Sequence, residues 1–456
     1  MTLPQAPQRE GNGEPVSSPV SPTAANPPHG WSMLRLKYCL SAVSQGWSPQ
    51  CEDIEACEGE WGVLKAGCVN HGVFRSSENK RLPADVEPPV DLEVAPGDLL
   101  VSRANTRQLL GSAALVTPSS ARLLLCDKLY RLVTNADVLD QRYLARVFAS
   151  AWIRHQMERD ATGTSDSMQN TSQQAIRELE LPIPQRRDQD LIVDFLDRET
   201  ERLDALVAKK LRLIELLQEK RTALISHVVT EGLDPDAPMK DSGIEWLGQL
   251  PANWTASPLM RLVDSARPIM YGIVLPGPDF PGGVPIVKGG DVSPERLILE
   301  RLNRTDPEIE ARYVRSRLAG GDVVYAIRGS IGAAAVVPDA LEGANLTQDT
   351  ARVAPRTGVD VGWLMYALQS SPVFAQLEAG AVGATIRGIN IFSLKRVVLP
   401  VPPLSEQVAI RRHLDVATRK LDELQESVRK AIDRLREYRS ALITAAVTGQ
   451  IDVGAR

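Results

Sequence analysis

The chain repeats one helical segment at a fixed distance of 218 residues. The stretch "RTALISHVVTEGLD" at 221–234 returns as "RSALITAAVTGQID" at 439–452. When 189–234 is placed on 407–452, the copies align without a gap and 18 of the 46 positions are identical. A repeat of this length constrains the architecture more than any local pattern, because it requires two equivalent units within one chain.

Each copy is predicted to form one long helix. Prolines precede the copies at 182, 184, 400, 402 and 403, and glycines follow at 232 and 449. The stretches between them are far longer than the mean helix of ~11–12 residues. Apolar residues in the second copy recur with a 4-3-4-3 spacing, so the two helices are predicted to pair in a coiled coil. The leucines assigned to this pairing are Leu196, Leu203, Leu206, Leu217, Leu224, Leu414, Leu421, Leu424, Leu435 and Leu442.

The segments that precede the helices also correspond to each other. "VLKAGCV" at 63–69 matches "IVKGGDV" at 286–292, and "PGDLLVSR" at 96–103 matches "GGDVVYAIRG" at 320–329. Apolar alternation and Gly-Asp turns predict short strands in both. The fold class is therefore α+β, with two pseudo-symmetric α/β domains separated by two long antiparallel helices. The predicted segments are a disordered extension (1–29), domain one (30–180), helix 1 (181–232), a linker (233–253), domain two (254–398) and helix 2 (399–450).

Composition excludes several classes of protein. The 43% hydrophobic and 24% charged content is ordinary for a globular protein, and the net charge is −5. No apolar run approaches the ~20 residues that span a bilayer, and 1–29 lack the apolar core of a secretory signal. The five cysteines form no CxxC pair, which favours reduced thiols over disulfides or a zinc site. We expect a cytoplasmic protein without a metal site.

The sequence carries no convincing catalytic motif. "NPPH" at 26–29 ends in His rather than an aromatic residue, so it is a poor match to an adenine methyltransferase motif. "RGSIG" at 328–332 lacks the spacing of a dinucleotide-binding loop, and no GxxxxGK[ST] phosphate-binding loop occurs. We expect no catalytic residues.

Four stretches make the chain resemble the specificity subunit of Type I restriction-modification systems. They are "IRGINIFSLKRVVLPVPPLSEQVAIRRHLD" (386–415), "DSGIEWLGQLPANW" (241–254) and the two helix endings. The resemblance implies that each domain is a target-recognition domain for one half of a split DNA site. It also implies that the helices set the spacing and dock two methyltransferase subunits, and that motor-nuclease subunits complete the complex. S-adenosylmethionine, ATP and Mg are then expected only on those partner subunits.

An alternative interpretation is a stand-alone DNA-binding regulator or scaffold that has no methyltransferase partner. It would contain the same helices and domains, so the fold does not distinguish the two. Co-purification does, because a specificity subunit should retain two methyltransferase chains. In either case the two domains differ in sequence, so the target is expected to be asymmetric and bipartite.

Candidate DNA-binding residues are polar and basic side chains in predicted loops, since these side chains contact base edges and phosphates. The strongest stretches are "SRANTRQ" (102–108) and "GATIRGIN" (383–390). The candidates in domain one are Lys65, Arg75, Arg103, Asn105, Thr106, Arg107 and Asn170. Those in domain two are Tyr271, Lys288, Arg328, Ser330, Thr385, Arg387 and Asn390.

Overall fold

The structure, a computed structural model, describes residues 28–165, 168–245, 247–379 and 388–453. Most of the predicted extension, and the candidates Thr385 and Arg387, lie outside the described residues. The chain divides into two compact units, Met1–Lys209 with Ala431–Arg456 and Lys210–Lys430. Each unit therefore contains one globular domain together with part of each long helix.

Domain one is built from short strands, three short helices and the start of the first long helix. Its strands are β1 (Ser32–Arg35), β2 (Leu40–Gln45), β3 (Trp61–Leu64), β4 (Asn79–Arg81), β5 (Leu99–Ser102), β6 (Ala104–Asn105), β7 (Ala113–Leu115), β8 (Arg122–Leu124), β9 (Leu129–Thr134), β10 (Thr162–Ser165), β11 (Met168–Asn170) and β12 (Glu180–Ile183). Its helices are α1 (Gln141–Phe148), α2 (Ala151–Asp160) and α3 (Gln173–Arg177), and the long helix α4 is Arg186–Glu231.

Domain two follows a small hairpin in the linker and ends in the second long helix. The strands are β13 (Met239–Asp241) and β14 (Gln249–Pro251) in the hairpin, then β15 (Thr255–Pro258), β16 (Met270–Tyr271), β17 (Val284–Val287), β18 (Arg304–Thr305), β19 (Val323–Ala326), β20 (Ala334–Val336), β21 (Asn345–Leu346), β22 (Thr350–Val353) and β23 (Val398–Val401). The helices are α5 (Pro307–Glu310), α6 (Val361–Leu368), α7 (Ser371–Ala379), α8 (Ile391–Arg396) and α9 (Leu404–Val447).

The two domains share one sheet topology. The four-stranded sheet β2-β9-β5-β7 of domain one corresponds to β16-β22-β19-β20 of domain two. The three-stranded sheet β4-β3-β8 corresponds to β18-β17-β21, and its one parallel pair recurs as β17 with β21. The antiparallel pair β1-β12 corresponds to β15-β23, so in both domains the last strand leads directly into a long helix.

The central strands of both domains are buried on both faces. In β5, Leu99 and Val101 face the cluster that includes α1, whereas Leu100 faces the cluster around the three-stranded sheet. Domain two repeats this division with Val323 in one cluster and Val324 in the other. Successive side chains of a strand point to opposite faces, so a continuous apolar run suits a strand between two layers.

Each long helix is joined to its domain by a buried glutamine. The Gln189 side-chain oxygen accepts from the Asp140 backbone N–H (2.7 Å), and its amide donates to the Pro184 carbonyl (3.1 Å). Gln407, its counterpart in the repeat, accepts from the Asp360 N–H (2.9 Å) in the same way. Both aspartates cap the N-terminus of a domain helix, α1 or α6. The glutamine therefore ties the start of a long helix to the start of a short one.

Arginine–aspartate pairs join the long helices within each unit. In the first unit Arg439 of α9 contacts Asp204 of α4 at 2.9 Å. In the second unit the repeat-equivalent residues make the same contact with the helices reversed. The arginine, Arg221, is on α4, and it contacts Asp422 of α9 at 3.5 Å. In the first unit the N-terminal half of α4 thus contacts the C-terminal half of α9. In the second unit the C-terminal half of α4 contacts the N-terminal half of α9, as antiparallel pairing requires.

The buried seam of the long helices differs from the predicted one at every second position. Leu206 and Leu424 are 39% and 46% exposed, whereas the following residues Val207 and Gln425 are half-buried. The assignment of these two leucines to the pairing was wrong, because the seam steps four residues beyond Leu203 and Leu421 rather than three. A step of one residue turns a side chain by ~100° around a helix, enough to leave the interface.

The other assigned leucines lie on the buried side of their helices. Four are buried, namely Leu196, Leu203, Leu217 and Leu414. Four are half-buried, namely Leu224, Leu421, Leu435 and Leu442. The seam also contains two buried threonines that pattern reading missed. The Thr200 and Thr418 hydroxyls donate to the carbonyls of Leu196 (2.6 Å) and Leu414 (2.7 Å), so neither hydroxyl is unsatisfied.

A pair of substitutions tests this register. Leu203→Asp should destabilise the protein by about 3 kcal/mol or more, because it leaves an uncompensated charge in the seam. Leu206→Asp, three residues later on the exposed side, should cost about 1 kcal/mol or less. Urea unfolding followed by circular dichroism measures both. Equal losses for the two variants would contradict the register described above.

Candidate nucleic-acid interface

Two predicted lysines occupy one structural position in the two domains. Lys65 follows β3 and precedes a 3-10 turn at Ala66–Gly72, and Lys288 follows β17 and precedes a 3-10 turn at Gly289–Asp291. The Lys65 N–H is fixed by the Glu78 carbonyl (2.8 Å). The Lys288 ammonium donates to the Asn303 side chain (3.0 Å). The shared position shows that the two domains present corresponding edges.

In domain one this turn meets the turn after β5. The Asn105 amide donates to the Asn70 side-chain oxygen at 2.9 Å, and the Arg75 guanidinium donates to the Asn70 carbonyl at 3.2 Å. Pairing of β6 with β11 places Asn170 opposite Ala104, beside Asn105. Two predicted residues, Arg75 and Asn105, thus bond Asn70, which the prediction missed. Only its proximity to Lys65 could have indicated it.

Thr106, Arg107 and Arg103 extend this cluster in different ways. Thr106 and Arg107 are exposed, although the Thr106 N–H donates to the Asn105 side chain (2.9 Å). Arg103 is half-buried; it donates to the Asp127 carbonyl (3.1 Å) and lies 5.9 Å from the centre of the Tyr130 ring. Arg103 therefore has a clear part in holding the turn, whereas Arg107 is open to a ligand.

The turns at 65–75 and 103–107 form one edge of domain one, and the cations of this edge differ from those elsewhere in the domain. Away from it, Lys80 pairs with Asp53 (2.9 Å) and Arg122 pairs with Glu93 (2.8 Å). The edge cations form no ion pair within 4.0 Å among the described residues; they are Lys65, Arg75, Arg103, Arg107 and Lys128. Cations without an ion-pair partner within 4.0 Å remain available to an anionic ligand at this edge.

Domain two brings a smaller set together at the corresponding edge. The Arg328 N–H donates to the Asp349 carbonyl (3.1 Å), and a Cβ added at Gly388 would lie 3.4 Å from the Arg328 side chain. A Cβ at Gly289 would lie 2.7 Å from the Arg328 carbonyl, so the Lys288 turn packs closely against the Arg328 turn. Ser330 is exposed in the latter, and Tyr271 is 48% exposed on β16.

Asn390 is a helix cap. Its side-chain oxygen accepts from the Phe392 N–H (2.8 Å) at the start of α8. Ser172, 218 residues earlier, caps α3 in the same way by accepting from the Ala175 N–H (3.0 Å). An asparagine in a glycine-rich stretch looks like a base-reading residue, but asparagine is also a favoured cap because its oxygen satisfies a free helix N–H. The predicted DNA contact of Asn390 can use only its amide group.

All five cysteines are free, and burial raises the pKa of the Cys126 thiol to about 12. No three His, Cys, Asp or Glu side chains among the described residues are grouped to hold a metal ion. None of the helices within the described ranges is both long and apolar enough to cross a membrane.

The sequence of this chain is similar to those of two curated specificity subunits. The specificity subunit of the Escherichia coli type I restriction enzyme EcoBI is 24% identical over 324 residues, which is 70% of this chain and 68% of that protein. The EcoEI specificity subunit of the same organism is 30% identical over 171 residues, 37% of this chain and 28% of that protein. This chain is thus similar in sequence to the specificity subunits of two type I restriction enzymes. No family model matches it.

A solved structure supports the same conclusion for the fold. A chain from a structure of a type I restriction-modification system superposes with a TM-score of 0.66 at 19% identity. The match covers 94% of this chain and 100% of the other. The resemblance to type I specificity subunits inferred from the sequence is confirmed. The prediction of a non-catalytic chain is confirmed as well, because the matched proteins are the specificity subunits of their systems.

The cap assignment of Asn390 leads to a test that separates its two possible roles. Asn390→Ser keeps an acceptor for the Phe392 N–H and removes only the amide, so stability should change by a few tenths of a kcal/mol. Asn390→Ala removes the cap and should cost about 1 kcal/mol in thermal or urea unfolding. If the amide also reads a base, Asn390→Ser should lose sequence selectivity while it keeps stability. Unchanged selectivity in the serine variant would remove Asn390 from the DNA-binding set.

Proposed function

We propose that this chain is the sequence-recognition subunit of a Type I restriction-modification complex. Each domain reads one half of an asymmetric, bipartite DNA site. The observation that carries the proposal is that two domains of one topology present the same edge with different side chains. In domain one the Asn70–Asn105 pair lies among unpaired cations. In domain two the edge carries Lys288, Arg328 and Asp349. A common frame with different chemistry is what recognition of two different half-sites requires.

The edge of domain one suits DNA because it offers two kinds of contact. Its unpaired lysines and arginines match phosphates, which supply most of the affinity and its dependence on salt. Its amide side chains match base edges, since asparagine and glutamine bond adenine in the major groove. The amides are held by each other and by the strand pairing of β6 with β11, so they are already ordered before DNA binds.

The long helices are proposed to dock methyltransferase subunits. Both helices expose apolar side chains where a helix without a partner would carry polar residues. On α4 they include Leu211, Leu213 and Leu216, which are 44%, 39% and 46% exposed. On α9 they include Val416 (53%), Leu424 (46%) and Tyr438 (57%). Exposed apolar surface of this kind marks protein interfaces. In this proposal two methyltransferase subunits bind, motor-nuclease subunits join them, and the complex works in the cytoplasm.

Catalysis is assigned to the partners. In this proposal S-adenosylmethionine, ATP and Mg bind the methyltransferase and motor-nuclease subunits, and this chain contributes the target. Co-expression with the candidate methyltransferase and sequencing of methylated DNA tests the assignment. We expect a stable complex with two methyltransferase chains and one bipartite methylated motif. Purification of the chain alone, with DNA binding but no methylation, would favour the stand-alone regulator.

Removal of one edge cation provides a graded test of the interface. Arg107→Ala in the complex should weaken binding to specific and nonspecific duplexes alike. It should reduce the slope of log affinity against log salt by about 0.9, the value for one lost phosphate contact. Lys80→Ala is the matched control, because Lys80 is already paired with Asp53. Fluorescence anisotropy over a salt series measures both slopes. A normal slope for Arg107→Ala would place the interface elsewhere.

The helices are proposed to set the distance between the half-sites. With 46 residues, α4 is about 69 Å long. Duplication of both 203–209 and 424–430 adds seven residues to each helix, about 10.5 Å, and preserves the four-three spacing of the seam. The spacer of the methylated motif should lengthen by about three base pairs, while both half-sites stay unchanged. A changed half-site with the original spacer would contradict this role.

A further inference from the structure

The turn that follows β16 in domain two exposes neighbouring apolar side chains. Leu275 is 79% exposed and Val274 is 39% exposed, and Tyr271 just before them is 48% exposed. Single exposed apolar residues are common on protein surfaces and need no explanation. Three within five residues of one turn form a patch, and such patches mark contact sites.

The backbone on both sides of Leu275 is held in place. Ile273 is fully buried; its N–H donates to the Leu346 carbonyl (2.7 Å) and its carbonyl accepts from the Gln348 N–H (2.9 Å). On the other side the Pro276 carbonyl accepts from the Thr305 hydroxyl (2.7 Å). The Leu275 tip is therefore anchored before any partner binds, and covering it costs little ordering entropy.

The tip belongs to the edge proposed to bind DNA. Gln348, which bonds Ile273, is followed by Asp349, whose carbonyl accepts from the Arg328 N–H (3.1 Å). Arg304 lies near the same loop, with its N–H donating to the Asp279 carboxylate (2.8 Å). That hydrogen bond lowers the pKa of the Asp279 carboxyl, with smaller contributions from the Asn303 side chain and from the charges of Lys288 and Arg304. Arg304 is the neighbour of Thr305, whose hydroxyl bonds Pro276, so a basic residue adjoins the segment that carries the tip, as a phosphate adjoins a base step.

Domain one has the same turn without the apolar tip. A Cβ at Gly46 would lie 2.0 Å from the Leu125 carbonyl, as one at Gly272 would lie 2.0 Å from that of Leu346. The Trp47 N–H then donates to the Leu125 carbonyl (3.0 Å), which makes Trp47 the counterpart of Ile273. The residues that follow are "SPQ" rather than "VLP". The fold of the turn therefore does not require an exposed leucine.

We propose that Leu275, supported by Val274, is a wedge that inserts between base pairs of the half-site read by domain two. The inference rests on the proposed function, since it presupposes that this edge binds DNA. Leucine and similar side chains inserted from the minor groove unstack one base step and bend the duplex by 20–90°. Arg304, whose neighbour Thr305 bonds Pro276, would contact a phosphate beside the opened step. Half-site two would then be selected partly for how easily it unstacks.

The test uses the full complex and a duplex that carries its methylated motif. 2-Aminopurine, whose fluorescence rises when it is unstacked, is placed in turn at each position of both half-sites. The wild-type complex should raise fluorescence at one step of half-site two. Leu275→Met, which keeps a long apolar side chain, should retain this signal. Leu275→Asn, similar in size but polar, should lose it and bind half-site two roughly tenfold more weakly.

Met260→Asn is the matched control, because Met260 is 56% exposed in the same domain, in the 3-10 turn after β15. It should leave the fluorescence and the affinity unchanged. An unstacking signal that survives Leu275→Asn would overturn the wedge. Loss of the methyltransferase subunits from Leu275→Asn with normal DNA binding would overturn it too, because the tip would then be a protein contact. Failure of the wild-type complex to bind any duplex would instead refute the proposed function, and the wedge with it.

Discussion

The antiparallel seam between α4 and α9 is the constraint on which the rest of the molecule depends. Each compact unit contains part of a long helix that starts in the other unit, so the first unit consists of two separate pieces of chain, Met1–Lys209 and Ala431–Arg456. The seam repeats at a spacing of 218 residues, and its two buried threonines repeat with it. The hydroxyls of Thr200 and Thr418 each donate to a carbonyl of their own helix. The Asp204–Arg439 pair lies in one unit and the Asp422–Arg221 pair in the other, so the repeat places equivalent ionic contacts along the seam in both units.

A second constraint is the set of buried hydrogen bonds that attach each domain to the start of its long helix. Gln189 and Gln407 are buried at the helix entries and bond the caps of α1 and α6. Removal of such a side chain would leave buried backbone groups without partners, which costs about 1–3 kcal/mol per group. The domains are thus attached to the helices by polar contacts with definite geometry. Such contacts suit a protein whose proposed task is to hold two reading surfaces in register.

The domains show how one frame can carry two specificities. Their sheets have the same strand order, and the same close backbone contacts recur at Gly46 and Gly272. The chemistry at the shared edge differs, with unpaired cations and amides in domain one and a mixed edge beside an apolar tip in domain two. The net charge of −5 averages over the whole chain and does not reveal this local difference.

The sequence alone determined the repeat, the two long helices and the resemblance to type I specificity subunits, because each rests on local pattern: a gapless spacing, an apolar period and short phrases. The position of the cations Lys65 and Lys288 after equivalent strands could also be expected from the matched stretches. Only the tertiary structure decided that Val207 enters the seam in place of Leu206, that Asn390 caps a helix, and that Asn70 meets Asn105, 35 residues away. The physical reason is that a helix period leaves the choice between adjacent residues open until a partner packs against it. A polar side chain, likewise, takes whichever partner the folded backbone brings within reach.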